Sequence, residues 1–294
     1  MYIRKYLIGS MLVAGIIVFL PSCSKDENDL SKTDIALAQD DTYVEAMFDE
    51  IDDLVLSETK ALDDNDYSTN TAKSTEEACY TVTLDHPDSV TFPKEITIDF
   101  GEGCSVVFNG DTITRSGQII INITNRWFMP GAMHIMTFNN FIFNGVKVEG
   151  TRTMTNDGWN ERQNLEISVS LENGKITFED STFITRNASH VREWARHLNP
   201  LNDTIYITGT ASGKNMLGEN YTRTITEPLA LVRCSEVPYR WGIADGKIEV
   251  VNSARGTITI EYGGNGCTSD LIIEKDGKRY NYQFRYRYRN NLQQ

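Results

Sequence analysis

From Ala78 to the C-terminus the chain alternates apolar and polar residues with a period of two. The runs are rich in Val, Ile, Thr, Tyr and Phe and are separated by Asn, Asp and Gly. CYTVTL, EITIDF, GQIIINIT, HIMTFNNFIF, VKVEGTRT, LEISVSL, KITF, DTIYITGT, KIEVV and GTITIEY are examples. Glu172-Asn173-Gly174-Lys175 and Lys275-Asp276-Gly277-Lys278 fall between runs, where a tight hairpin wants residues that tolerate positive φ. Many short strands with no recurring helix between them exclude a parallel α/β sheet. The pattern predicts an all-β fold, an antiparallel multi-stranded sandwich, open barrel or meander. About 215 residues suffice for one large β domain or two small ones.

Upstream the period changes. Ile35, Leu37, Val44, Met47, Phe48, Ile51, Leu54 and Val55 recur at three- and four-residue steps between Asp and Glu. That spacing predicts one N-terminal amphipathic helix over about 42–59, with its apolar stripe packed on the following domain or, as the alternative, on a partner. Residues 62–75 (LDDNDYSTNTAKST) are almost devoid of apolar side chains and read as a flexible linker. Asp64, Asp66, Ser68 and Asn70 alternate like a calcium loop, but glycine is missing at the sharp turn and no acid falls at the twelfth position.

The first residues follow neither pattern. Arg4 and Lys5 precede an apolar run, Tyr6 to Leu20, of about 15 residues, shorter than the roughly 20 needed to span a bilayer. This is a signal-peptide layout. Leu20-Pro21-Ser22-Cys23 resembles the bacterial lipobox, which implies cleavage before Cys23 and lipid (palmitate among the acyl chains) on its sulfur. Several acyl chains hold a protein on a membrane durably. The following Ser24-Lys25-Asp26-Glu27-Asn28-Asp29 resembles the acidic tag of Bacteroidetes lipoproteins exported to the cell surface. The expected address is therefore the outer membrane, surface-exposed, with its periplasmic face as the alternative. The expected organisation is a lipoprotein signal peptide over 1–22, an acidic tether with the helix and linker over 23–77, and the β domain over 78–294.

Charge divides along the same line. Residues 23–66 hold fifteen acids against three lysines, which accounts for nearly all of the chain's net charge of -13. The remainder is close to balanced and has no basic stripe, which argues against a nucleic-acid partner.

An internal echo links Ile96-Thr97-Ile98-Asp99-Phe100-Gly101-Glu102-Gly103-Cys104 to Ile258-Thr259-Ile260-Glu261-Tyr262-Gly263-Gly264-Asn265-Gly266-Cys267. Each copy has another cysteine upstream, so two local disulfides, Cys79–Cys104 and Cys234–Cys267, are the simplest pairing, although three pairings are open to four cysteines. A four-cysteine zinc site lacks the C-x-x-C spacing it would need. The order ITIDFGxGC, FNNFIFNGVKVEGTRT, Arg192-Glu193-Trp194, YITGTASG and a second GxGC is similar to a family of uncharacterised Bacteroidetes lipoproteins. The resemblance covers most of 78–275. It implies the envelope address and the β architecture and carries no activity.

Candidate chemistry is sparse. None of His86, His134, His190 and His197 sits in a metal-ligand pair, no GxSxG elbow occurs, and no catalytic, metal or cofactor residue is assigned. His190, Trp194 and His197 would share a face if NASHVREWARH were helical; as a loop or short helix, its tryptophan would cover a sheet edge. Asp99 and Glu261 occupy equivalent echo positions and would matter only if they faced each other across a cleft, as in a glycosidase. In the last strand Tyr280, Tyr282, Phe284, Tyr286 and Tyr288 alternate with Arg279, Arg285, Arg287 and Arg289. The aromatic face is either the core side of a closing strand or, together with Trp194, a surface for stacking on sugar rings; Trp127 and Trp159 would serve the same end. Ser89, Thr112, Ser181 and Thr204 each follow an Asp in a short motif that resembles the Bacteroidetes O-glycosylation acceptor, which implies exposed turns. The expected function is a membrane-anchored binding module for a glycan or an envelope protein. A polysaccharide hydrolase and a structural envelope or fimbria-associated component are the alternatives.

Overall fold

The computed structural model describes residues 32–63, 79–86, 91–108, 111–234, 241–264 and 269–284. One helix, α1 (Lys32–Asp63), is followed by β1 (Thr81–Leu84), β2 (Lys94–Asp99), β3 (Cys104–Phe108), β4 (Asp111–Ile123), β5 (Met133–Phe143), β6 (Val146–Trp159) and β7 (Leu165–Thr177). β8 (Phe183–Ala195), β9 (Thr204–Lys214), β10 (Asn220–Arg233), β11 (Trp241–Asn252), β12 (Gly256–Gly263), β13 (Ser269–Lys275) and β14 (Lys278–Phe284) follow among the described residues. The fourteen strands of the described residues form one antiparallel sheet, a meander in sequence order apart from β3, which pairs with β4 off that path. The sheet is not closed into a barrel.

Alternation decides which face is buried. Ile96 and Ile98 on β2, Ile119, Ile121 and Ile123 on β4, and Val169 and Leu171 on β7 all turn to the face that carries α1. Val44, Met47, Phe48, Ile51 and Val55 of α1 join them in one core. Each such side chain contributes about 1.5–3 kcal/mol by leaving water. The helix is longer than the expected 42–59 span. It belongs to the same compact unit as the sheet, residues 31–294, so the expected boundary at residue 77 does not separate it from the β domain. The expected linker and calcium-like loop lie outside the described residues.

Two expected breaks are not breaks. Asn173-Gly174 lies inside the 13-residue β7, where the register against β8 shifts between Leu171 and Gly174. This is a bulge, with Asn173 at φ 53°. It changes the phase of the alternation, so that Val169 and Leu171 before it and Ile176 after it all face the core. LEISVSL and KITF are therefore one strand. β5 has the same device at Asn140, with Met136 buried before it and Phe141 and Phe143 after it. Gly117 sits opposite this bulge at φ +75°, and a Cβ there would lie 2.2 Å from the Asn140 carbonyl oxygen. By contrast, Asp276-Gly277 is the expected two-residue hairpin: Lys275 pairs with Lys278, and both turn residues have positive φ.

The Cys79–Cys104 disulfide is present, with a Cα–Cα distance of 5.3 Å, and ties the start of β1 to β3. It also removes two of the four thiols a zinc site would have required. Cys234 is disulfide-bonded as well, and Cys267 lies outside the described residues.

Candidate functional site

Polar chemistry gathers in two places, both on the helix-bearing face of the sheet. The first is the seam beneath α1. Asp41, Glu45, Asp49 and Asp52 recur at four-, four- and three-residue steps and so form a second stripe beside the apolar one. Opposite them, Arg152 on β6, Arg186 and Arg192 on β8 and Arg223 on β10 point inward from positions that alternation gives to the core. Asp52 takes both ends of the Arg152 guanidinium at 2.7 Å and also meets Arg192 at 3.0 Å. Asp41 bridges Arg186 at 2.6 Å and Arg223 at 2.7 Å. Glu45 pairs with Arg186, and Asp49 pairs with Arg192 at 2.6 Å. Between β8 and β10, the strand β9 offers only Gly209, Ala211 and Gly213 beside these arginines, which leaves room for their long side chains.

Burial opposes ionisation of Glu45, yet Arg186 and Arg223 hold its carboxyl far below the usual range. Asp49 goes the other way: burial, with Glu45 and Asp52 nearby, pushes it up to about 6 against the pull of Arg192. His190, 3% exposed, is lowered to about 4 chiefly by burial, and its Nε2 lies 3.4 Å from Arg223 Nη1, a neutral acceptor facing a donor. Every strong pair here joins helix to sheet, and the arrangement is that of a structural seam.

The second place is one rim of the sheet. Strands alternate in direction, so the end of β4, the start of β5, the ends of β6, β8 and β10 and the start of β11 share an edge. All four tryptophans of the chain lie there: Trp127 between β4 and β5, Trp159 closing β6, Trp194 near the end of β8 and Trp241 opening β11. Register places three of them on the helix-bearing face. Trp159 stands across from Leu165, Leu165 from Trp194, and Trp241 from Arg233. Trp159 and Trp194 are thus two strands apart, about 10 Å.

The rim is rigidly built. Asn156 donates from Nδ2 to the Trp127 carbonyl at 2.5 Å and accepts on Oδ1 from the Gly158 amide at 2.8 Å, which ties the loop between β4 and β5 to the end of β6. Asn160 Oδ1 accepts from the amides of Arg162 and Asn164. Trp194 donates from Nε1 to Asp203 at 3.0 Å, and the same carboxylate takes the His197 amide at 2.8 Å. Trp127 lies 4.4 Å from the ring of His134. His134 is buried, and burial alone lowers it to about 4. Exposed at this rim are Trp159 (59%), Phe128 (59%) and Met129 (43%).

The other expected residues are dispersed. NASHVREWARH is mostly strand, neither helix nor loop, because both neighbours of β8 demand its hydrogen bonds; Trp194 therefore sits in an interior strand and not over a sheet edge. His190 and Trp194 share a face, while His197 lies in the loop beyond. Tyr280 and Tyr282 are half-buried across from Ile273 and Leu271, the core side of β14; Tyr286 and Tyr288 lie outside the described residues. Asp99 accepts from Gln118 and the Gly101 amide, Glu261 pairs with Arg279, and their strands β2 and β12 stand near opposite ends of the sheet path. Thr112 is exposed on a strand and Ser181 is exposed in a turn. Thr204 is a half-buried strand residue and not an exposed turn, since β8 and β10 flank it. Cys23 and Ser89 lie outside the described residues. Among the described residues no cluster of three His, Cys, Asp or Glu could hold a metal ion.

No family model matches the chain, and neither a curated protein nor a solved structure is found to be similar to it.

The arginine ladder and Trp241 escape a reading by residue type. A usable signal exists in the spacing: Arg186, Ala188, His190, Arg192 and Trp194 occupy every second position of one strand, with basic groups where a core strand ordinarily places aliphatic ones.

Proposed function

We propose that the protein is a lipid-anchored envelope lipoprotein, displayed at the cell surface, whose β domain is a non-enzymatic binding module holding a glycan along its tryptophan rim. The gathering of all four tryptophans on one edge carries this reading. Sugar rings stack on aromatic faces, and a platform that is already rigid loses little entropy on binding. No helix among the described residues is long and apolar enough to cross a membrane.

The test uses the full chain in detergent micelles on a glycan array, with Trp159→Ala beside it. Retention of a polysaccharide that weakens about tenfold or more in the variant is expected; release of shortened sugars would replace the binding module with a hydrolase, and no retention would remove the glycan. For the anchor, Cys23→Ala is expected to move the protein from the membrane fraction to the soluble one, and unchanged fractionation would refute the lipid.

A further inference from the structure

The tryptophan rim is not chemically uniform along its length. At one end Trp159 presents an exposed ring between Asp157 and Glu161, both exposed acids. Two strands away, Arg196 lies over the Trp194 ring at 5.4 Å. Arg196 is exposed and makes no hydrogen bond or ion pair with any other described residue. The carboxylates that flank it in the chain are already engaged. Asp203, 4% exposed, is held by Trp194 and the His197 amide, and Glu193 is held by Arg162 and Asn164. Further along the same face, Arg233 lies 4.4 Å over Trp241, a second guanidinium on a tryptophan.

Resting on the glycan-binding reading above, we propose that the rim selects carboxylated polysaccharides of the uronic-acid type, stacking one sugar ring on Trp159 and taking a carboxylate on Arg196, which Trp194 positions. A guanidinium lying over an indole keeps its N–H edge available, and that fork matches the two oxygens of a planar carboxylate. The ring beneath fixes the cation in place, so little side-chain freedom is lost when the acid arrives. The polarity of the rim also sets a direction: the acids beside Trp159 repel a carboxylate there and favour it at Arg196. The chain as a whole is strongly acidic and repels polyanions at long range, so retention of an acidic polymer would have to come from this local contact.

The experiment compares polygalacturonate with its fully methyl-esterified form, the same backbone without charge, on the full chain in detergent micelles. Wild type, Arg196→Gln, Arg196→Lys and Trp159→Ala are compared. The acidic polymer is expected to bind about tenfold more tightly than the ester, the worth of one charged hydrogen bond. Arg196→Gln should bring the two polymers level, Arg196→Lys should keep only part of the preference, and Trp159→Ala should weaken both alike. Equal binding of acid and ester by wild type, still reduced in Trp159→Ala, would overturn the charge selectivity and leave the glycan platform standing. Binding of neither polymer by a wild type that retains a neutral glycan on the array would also overturn the selectivity. Binding of neither polymer and of no arrayed glycan would overturn both.

Discussion

The two stripes of α1 meet the same sheet by different physics. Along one, Val44, Met47, Phe48, Ile51 and Val55 pack into aliphatic and aromatic neighbours, with Phe48 6.4 Å from Phe138. That contact is favourable in many slightly shifted arrangements, because burial of apolar area has no direction. Along the other, Asp41, Glu45, Asp49 and Asp52 must each find a particular arginine. A slide of one helical turn, about 5.4 Å, would break every pair and leave both partners buried without compensation. The apolar stripe supplies attraction and the acidic stripe supplies position. Arg152 belongs to both, since its guanidinium lies 4.9 Å over Phe48 while holding Asp52.

The contrast can be broken most sharply at Asp41. Asp41→Ala leaves Arg186 and Arg223, each with a side chain 2% exposed, to share Glu45. A loss of about 3–5 kcal/mol is expected in urea denaturation, because two buried guanidinium charges then lose their common, better-placed carboxylate and keep much of their desolvation cost. Phe48→Ala should cost a similar ~3–5 kcal/mol through the cavity it leaves, whereas Phe48→Leu, which keeps most of the volume, should cost far less; there is no such graded series on the acidic side. Replacing both members of one pair, Asp52→Leu with Arg152→Met, should recover most of the stability lost in Asp52→Ala, since an apolar pair of similar size is often neutral in such a site. If the double variant proves as unstable as the single one, the ladder supplies more than position.

A smaller effect is expected from pH. His134 and His190 have folded values near 4, both below the unfolded value of 6.5, and both are buried. The unfolded chain takes up protons as pH falls through 6.5 while the folded imidazoles stay neutral, so stability declines from pH 6.5 towards 4. The full contribution is on the order of 3 kcal/mol for each histidine. Asp49, raised to about 6, and Asp53, raised to about 7, both chiefly by burial, act in the opposite sense within this window, because their folded forms retain protons that the unfolded chain has released. Relative to the wild type, the midpoint of thermal unfolding of a His134→Gln/His190→Gln variant should therefore shift upward as pH falls from 6.5 to 4; parallel profiles would refute the assignment. The smallest change is expected at the surface pair of Lys247 and Glu227. Glu227→Ala should leave the midpoint unchanged within error in the same urea series, since water screens such a pair.

Much of the architecture was legible in residue order. Period-two alternation identified the strands, the four-and-three spacing identified the helix, and Asp276-Gly277 marked a true hairpin. Asn173-Gly174 has the same turn chemistry but sits in a bulge, because residues on both sides continue to pair with β6 and β8. Local preference for positive φ is common to both settings, and only the partner strands distinguish them. The same limit applied to NASHVREWARH, whose helical spacing of His190, Trp194 and His197 was overridden by the hydrogen-bonding demand of two neighbouring strands.

By itself the sequence determined the all-β class, the N-terminal helix and the acidity of the N-terminal region, since each follows from local period or composition, and it offered Cys79–Cys104 as the simplest of three pairings, which the structure decided. Only the tertiary structure decided that the acidic stripe is spent on buried arginines up to 182 residues away, and that four tryptophans spread over more than a hundred residues share one edge. The physical reason is that an antiparallel meander returns every second connection to the same end of the sheet. Residues remote in the chain become neighbours there through register, which no local pattern encodes.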